Sequence, residues 1–151
     1  MRMAKRLICC LFFFLIPVIS CNKKSEQAHE ISAIQELIQS YNAAFDQKDF
    51  NRFSSFCTDD MNFFTLDGQI FDSSTLVPFL NRILKNWQNL KTTTGEVKIE
   101  VDSQIAWAKY KSQLVYTSGE KQGVMNNLIT VTFRKTETGW KIAHYHMSTG
   151  Y

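Results

Sequence analysis

The chain has 151 residues, with 17 Lys and Arg against 14 Asp and Glu, which gives a formal net charge of +3 at pH 7. Residues 1–20 contain three of the cations, Arg2, Lys5 and Arg6, and no carboxylate, so residues 21–151 are close to neutral. This balance argues against a basic surface for nucleic acid or anionic lipid, and no nucleic-acid partner is expected. The length of residues 21–151 suits one domain.

The N-terminal segment has the order of a secretory signal. An apolar run from Leu7 to Ile19 follows the cations and is short for a membrane-spanning helix. The next residues, Val18-Ile19-Ser20-Cys21, resemble the bacterial lipobox. That resemblance implies cleavage before Cys21 and acylation of Cys21, with fatty acids such as palmitate. A plain signal peptide and an uncleaved anchor are the alternatives.

These features predict a lipoprotein with a signal peptide at residues 1–20, a polar tether at 21–28 and a folded domain at 29–151. Two or more acyl chains suffice for stable attachment to a lipid bilayer. The expected location is the bacterial cell envelope, with the domain outside the cytoplasm. Cys57 is the cysteine that remains after processing and lipidation, so no disulfide within the domain is expected.

The first half of the domain has helical patterns. Apolar residues recur every three or four positions from Ile31 to Phe45, which predicts one long helix from His29. Asp49 is placed to cap a short second helix. Ser73 or Ser74 is placed to cap a third that runs to about Asn89, with Pro78 tolerated in its first turn.

In the remaining segments apolar and polar residues alternate, as they do in strands. The stretch "MNFFTLDGQIF" predicts two short strands joined by a turn at Asp67-Gly68. After Thr92, four segments with hairpin-like connections predict an antiparallel meander. They are "TGEVKIEV", "QIAWAKYKSQLVYTS", "VMNNLITVTFRK" and "GWKIAHYHMS". The fold class is therefore α+β, with helices packed on one face of a sheet.

This order of elements resembles the nuclear transport factor 2-like superfamily. The phrases that carry the resemblance are "ELIQSYNAAFDQKDF", "CTDDMNFFTLDG" and the closing "GWKIAHYHMS". The chain is most similar to the association domain of calcium/calmodulin-dependent protein kinase II and to SnoaL-like and ketosteroid isomerase-like proteins. The resemblance covers about residues 30–150. It implies a cone-like, cystatin-like fold, in which a curved antiparallel sheet wraps around the long N-terminal helix and encloses a pocket.

The resemblance also implies which residues face that pocket. They are Tyr41, Phe63, Thr65, Trp87 from the third helix, Trp107, Lys109, Thr130, Tyr145 and Met147. Lys109 takes the place of a pocket arginine of the kinase domain, whereas Thr130 and Met147 replace two other basic residues. An aromatic pocket with one ammonium suits a mostly apolar molecule that carries a single carboxylate or carbonyl. The alternative is that these side chains fill the cone completely.

Catalysis has weaker support in the sequence. Tyr41 matches the oxyanion tyrosine of the isomerases, but Thr65 stands at the position of their catalytic aspartate, and threonine is no general base. The segment Val124–Lys135 also lacks the acidic partner of that tyrosine. Tyr41 and Cys57 both have a simpler interpretation as core residues. No phosphate-binding loop, cofactor motif or acidic metal cluster is present in the sequence, so no cofactor is expected.

His144 and His146 lie two apart in the closing strand and should therefore share a face. They are interpreted as residues of a sheet face or subunit interface, with a metal pair or a catalytic base as alternatives. On a regular strand Ala143, Tyr145 and Met147 face the pocket, whereas Trp140, Ile142 and both histidines face outward. A β-bulge would reverse this assignment.

The sequence leaves two classes of function open. The first is a small-molecule-binding or oligomerisation module on the envelope, and the second is an enzyme such as a cyclase, hydratase or isomerase that uses the same pocket. A homodimer is expected through an outer apolar face of the sheet. The residues assigned to that face are Ala106, Ala108, Tyr110, Ile129, Val131, Phe133, Trp140 and Ile142.

Overall fold

The computed structural model of the protein describes residues 16–150, with side chains described for residues 24–150. The predicted signal peptide, residues 1–20, lies mainly outside the described residues. The three helices of the described part are α1 (Ile16–Asp46), α2 (Phe50–Ser55) and α3 (Ser73–Ile83). The strands are β1 (Cys57–Phe64), β2 (Ile70–Phe71), β3 (Trp87–Thr94), β4 (Lys98–Asp102), β5 (Ile105–Ser118), β6 (Lys121–Thr136) and β7 (Gly139–Thr149).

The long helix α1 is the central element of the fold. Its buried side chains, Ile34, Ile38, Tyr41 and Ala44, recur at the predicted three- and four-residue spacing. The helix begins well before His29, so residues 21–28, which the sequence predicts as a polar tether, are helical. No helix in the described part of the chain is long and apolar enough to cross a membrane.

Capping groups at both ends delimit α3. The Asp72 side chain accepts hydrogen bonds from the backbone N–H groups of Ser74 and Thr75, so the cap lies one residue earlier than predicted. At the other end the ammonium of Lys48 donates to the carbonyl oxygens of Leu84 and Trp87. The bond to Leu84 satisfies a carbonyl at the helix end that a continued helix would use. The expected extension of α3 to Asn89 is therefore wrong, and Trp87 begins strand β3.

The strands form one open sheet in the order β2-β1-β7-β6-β5-β3, and β4 pairs with the other half of β5. Most neighbours are antiparallel, as predicted. The exception is β1, which pairs in parallel with β7 because the chain returns to the start of the sheet after the meander. The sheet is therefore mixed, and the closing strand lies in its interior.

The core face of β5 and β6 is the reverse of the predicted one. The residues expected on an outer dimer face, among them Ala106, Ala108, Val131 and Phe133, are completely buried in the core. Their neighbours in sequence point to the other side, which we call the outer face and define by Trp107, Lys109, Thr130, His144 and His146. The apolar patch proposed for the dimer contact is therefore the hydrophobic core itself.

A β-bulge in β7 explains why Trp140 and Ile142, in its first half, are also on the face opposite to the predicted one. Thr132 pairs with His144, but the next residue, Phe133, pairs with Ile142, so Ala143 is an extra residue in the ladder. The bulge places Trp140 and Ile142 on the core face together with Tyr145. In a regular strand Trp140 and Ile142 would face away from Tyr145, as the sequence pattern predicts.

Two polar contacts fix α1 against the sheet. At one end of the buried part of α1, Glu30 accepts a hydrogen bond of 2.7 Å from the Lys135 ammonium and a second bond from the indole N–H of Trp140. At the other end, the Asp46 carboxylate accepts bonds of 2.7–3.0 Å from the backbone N–H and the hydroxyl of Thr92. Because both ends are held, Tyr41 has a fixed position over the sheet.

Candidate functional site

A cavity of about 470 Å³ lies between α1, α3, the β1–β2 turn and the ends of the central strands. Such a volume falls within the range of small-molecule sites. Most of its wall is apolar, and seven aromatic residues line it: Tyr41, Phe45, Phe53, Phe63, Phe79, Trp87 and Tyr145. Trp87 is held flat against Tyr116, with ring centroids 3.7 Å apart, so β3 supplies a fixed wall.

The structure brings six of the predicted pocket residues together. They are Tyr41, Phe63, Thr65, Trp87, Tyr145 and Met147, which all line this cavity. Trp107, Lys109 and Thr130 lie instead on the outer face, where Trp107 is 38% exposed. The cause is strand alternation, because the even-numbered residues of β5 pack on the core and the odd-numbered ones face away. Their assignment to the pocket is therefore wrong.

Three buried tyrosines from different elements meet beside the cavity. The hydroxyl of Tyr41 in α1 is hydrogen-bonded to that of Tyr110 in β5. Tyr145 in β7 lies edge-on to Tyr41, with ring centroids 6.0 Å apart, and stacks on Phe63 at 4.8 Å. Burial raises the pKa of Tyr41 and of Tyr110, and it raises the pKa of Tyr145 to about 12. At neutral pH all three phenols are therefore protonated and are not bases, and in the Tyr41–Tyr110 bond one hydroxyl donates while the other accepts.

A second polar group, missed by the sequence analysis, is formed by Ser112 and Asn127. These residues are directly opposite each other in the β5–β6 ladder, and both line the cavity. Asn127 is only 4% exposed, and its carbonyl Oδ1 has no hydrogen-bond partner among the described residues. The available signal was strand parity, since Ser112 follows Ala106, Ala108 and Tyr110 on the same face.

The charged groups of the cavity are at its rim. Asp67, from the β1–β2 turn, accepts hydrogen bonds from Thr65 and from the Gln69 amide. The bond from Thr65 lowers the pKa of the Asp67 carboxyl, so it remains ionised well below neutral pH. Arg82 of α3 also lines the rim, with its guanidinium 5.8 Å from the centre of the Phe79 ring. Sequence reasoning placed Asp67 in the turn but did not identify Arg82.

The remaining reactive side chains lie apart from the cavity. Cys57 is buried, and burial raises the pKa of its thiol to about 12, so it is not a nucleophile at neutral pH. His144 and His146 lie on the outer face beside Phe64, with ring centroids 5.0 and 6.2 Å from it. Burial, followed by the neighbouring His146, lowers the pKa of His144. Within residues 24–150 no group of three or more potential ligands has the arrangement of a metal site.

Comparison with known proteins agrees with this architecture. The model of the SnoaL-like domain matches residues 34–151. An NTF2-like protein of cystatin-like fold from Novosphingobium aromaticivorans superposes with a TM-score of 0.77 at 16% identity, covering 89% of this chain and 91% of that one. A candidate scytalone dehydratase from the same organism gives 0.79 at 13% identity, with coverages of 85% and 89%.

A further solved structure has the same fold. A candidate calcium/calmodulin-dependent kinase II association domain from Exiguobacterium sibiricum has a TM-score of 0.68 at 14% identity, with coverages of 78% and 91%. At such identities these structures establish the fold alone, and no curated protein matches the chain significantly. The domain model covers more than three quarters of the sequence, together with every helix and strand that forms the cavity. The chain therefore belongs to the SnoaL-like domain family, within the NTF2-like fold.

Proposed function

We propose that this domain binds a small, mostly apolar molecule in its cavity. The observation that carries the proposal is the 470 Å³ space walled by aromatic rings at the open end of the sheet. Dense packing normally eliminates such a space from a domain of this size. A binding function requires only a preformed apolar site with a few fixed polar groups, and the cavity has both.

The part of the ligand that contacts the inner wall of the cavity is expected to be uncharged. The anionic ligand considered from the sequence depended on Lys109, whose side chain lies on the outer face. The inner wall offers phenol hydroxyls, a serine hydroxyl and an amide, whereas Arg82 is a rim residue. Protonated phenols donate hydrogen bonds, so a carbonyl, ether or hydroxyl oxygen is a suitable partner for Tyr41 or Tyr145.

Filling the cavity tests this function. Replacement of Met147 by Trp places a large ring in the space, whereas Leu128→Trp adds the same ring on the outer face and serves as the matched control. We expect the wild type and Leu128→Trp to bind 2-naphthol saturably in NMR titrations, and Met147→Trp to lose binding by at least about tenfold. Equal binding by both variants would exclude the cavity as the site.

The second candidate is an enzyme that acts in the same cavity. The observation in its favour is that one ionised carboxylate, Asp67, and two phenol donors, Tyr41 and Tyr145, line a single space. A base and an oxyanion donor are the parts required for dehydration or isomerisation. The lowered pKa of Asp67 makes it a weak base, so binding without turnover is the preferred interpretation. Turnover that is lost in Asp67→Asn, with binding retained, would favour the enzyme.

We also propose that the domain is tethered to the cell envelope through acylated Cys21. The support is in the sequence, namely the three N-terminal cations, the short apolar run and the four residues that resemble a lipobox. In a bacterial host, Cys21→Ala should abolish metabolic labelling with palmitate and partitioning into detergent. Labelling that persists in the variant would contradict the proposal.

We also propose a homodimer, but through a contact surface other than the one predicted from the sequence. The outer face exposes Trp107 and Leu128, at 38% and 43%, instead of the core residues first assigned to it. A structural neighbour whose description names an association domain supports self-assembly in this fold. The occupant we propose for the outer face is a second copy of this chain, in a symmetric contact.

A further inference from the structure

The inner wall of the cavity contains a polar group whose hydrogen-bonding capacity is unused. The Oδ1 atom of Asn127 is buried and accepts no hydrogen bond from residues 24–150. The surrounding wall is largely apolar, with Leu114, Met125 and Met147 on adjacent positions of the three central strands. A buried carbonyl without a partner is unfavourable for folding, because the group loses its bond to water.

The neighbouring Asn126 faces outward and, unlike Asn127, has a hydrogen-bond partner for its Oδ1 atom. Asn126 is exposed, and its Oδ1 accepts a hydrogen bond of 3.0 Å from the Gln113 amide on the outer face. Asn127 points to the opposite side of the same strand, as alternation requires. Its partner in the ladder is Ser112, which offers a second small polar group to the cavity. A ligand can therefore meet Asn127 and Ser112 together.

We propose that Asn127 and Ser112 form a subsite that selects ligands with an O–H or N–H donor, such as a phenol, an alcohol or a cyclic amide on an aromatic ring. This inference rests on the proposed binding function and specifies the class of molecule bound. The donor satisfies Oδ1 of Asn127, and the apolar rings of the wall hold the remainder of the molecule. A ligand of the same shape without a donor leaves the carbonyl unpaired and loses affinity.

The spacing of the strands sets the length of the ligand. Ser112 lies two residues beyond Tyr110 on the same face of β5, a separation of about 7 Å along the strand. Val131 is the ladder partner of Tyr145. Asn127 lies four residues from Val131 along β6, a separation of about 13 Å. A molecule of two fused or linked rings, roughly 10 Å long, can therefore reach from the tyrosines to the subsite.

The test uses three probes that share the naphthalene ring: naphthalene, 2-naphthol and 2-methoxynaphthalene. Titrations of the wild type, Asn127→Leu and Asn126→Leu provide the comparison, because the two variants carry the same change on opposite faces. We expect the wild type and Asn126→Leu to prefer 2-naphthol over 2-methoxynaphthalene by at least tenfold. In Asn127→Leu the preference should fall below about threefold, with naphthalene binding retained or improved.

A second measurement does not depend on the folding of the variants. The side-chain amide signals of Asn127 in the wild type, observed by ¹⁵N NMR, should shift on addition of 2-naphthol and move much less with 2-methoxynaphthalene. If Asn127→Leu keeps the preference, or both probes shift the amide equally, the donor subsite is wrong and the binding function stands. If none of the three probes binds the folded wild type, the proposed function fails with it.

Discussion

At the scale of single residues, Glu30 connects the central helix to the sheet. Its carboxylate accepts hydrogen bonds from Lys135 and from the indole of Trp140, and only 16% of the side chain is exposed. The hydrogen bond from Lys135, followed by that from Trp140, lowers the pKa of the Glu30 carboxyl. A carboxyl whose pKa is lower in the folded state stabilises the fold above its unfolded pKa of about 4.3. This contribution disappears as pH falls through the folded pKa.

The corresponding prediction concerns Glu30→Gln. The amide keeps an acceptor for Trp140 but loses the charge, so we expect a loss of about 1 kcal/mol in the free energy of unfolding at pH 7. The difference from wild type should shrink as pH falls from about 5 toward 3 in urea titrations. Glu36→Gln, an exposed change on the same helix, is the control and should be nearly neutral. A constant difference across this pH range would contradict the role of the charge.

At the scale of elements, the sequence predicted the helices and strands well but not the faces of the long strands. Apolar spacing revealed α1, and turn residues separated the strands. In β5, however, Trp107 and Lys109 alternate with Ala106 and Ala108, and the larger apolar residue is the exposed one. Ala106 and Ala108 are fully buried in the core, and this burial is a tertiary constraint that a strand pattern does not contain. Four aromatic residues of the cavity were among the predicted ones, whereas the other aromatic residues and the polar pair were not: the first group is Tyr41, Phe63, Trp87 and Tyr145, and the second is Phe45, Phe53, Phe79, Ser112 and Asn127.

Ala143 illustrates the same limit in β7. It is the extra residue between Ile142 and His144, and no turn residue in "KIAHYH" marks the bulge. Without it, the ladder would continue with Ile142 opposite Phe133 and His144 opposite Thr132, which are the pairs already present. Deletion of Ala143 therefore heals the bulge and leaves Tyr145 on the cavity side.

We accordingly predict that deletion of Ala143 yields a folded protein. The loss in the free energy of unfolding should be about 1–2 kcal/mol, because the local bend and the pairing with β1 change. Deletion of Val131, a regularly paired and fully buried residue of β6, should instead prevent folding, since every later side chain of β6 changes face. Thermal melts and backbone NMR distinguish the two deletions. Unfolding of both would show that Ala143 is not the dispensable residue of the ladder.

At the scale of the whole molecule, the cavity and the surface proposed for the dimer lie on opposite faces of the sheet. The core face contacts α1 and supplies the cavity, whereas the outer face carries Trp107, His144 and His146. We therefore expect self-association and ligand binding to be independent. The partial burial of His144 already lowers its pKa, so burial against a second copy opposes protonation further. Acid should accordingly weaken the dimer.

Sedimentation measurements test this assembly. The domain from residue 25 onward should be a dimer at tens of micromolar at pH 7.5 and dissociate at least tenfold more readily at pH 5.5. Trp107→Lys should give a monomer that still binds 2-naphthol, whereas Glu120→Lys, in the turn after β5, should have no effect. A monomeric wild type at neutral pH would refute the dimer, and loss of binding in Trp107→Lys would refute the independence of the two faces.

The direction of α1 determines where the cavity opens relative to a membrane. Glu30 contacts Lys135 and Trp140, at the hairpin end of β6 and β7, whereas Met147 reaches the cavity about 23 Å farther along β7. Cys21 lies nine residues before Glu30 in the same helix, about 13 Å beyond that hairpin end, and Lys24–His29 are exposed. In a lipid-anchored protein, α1 is then a stalk that holds the mouth of the cavity away from the bilayer. For the proposed lipid-anchored form, we therefore expect ligands to enter the cavity from the surrounding water rather than from the membrane beneath it.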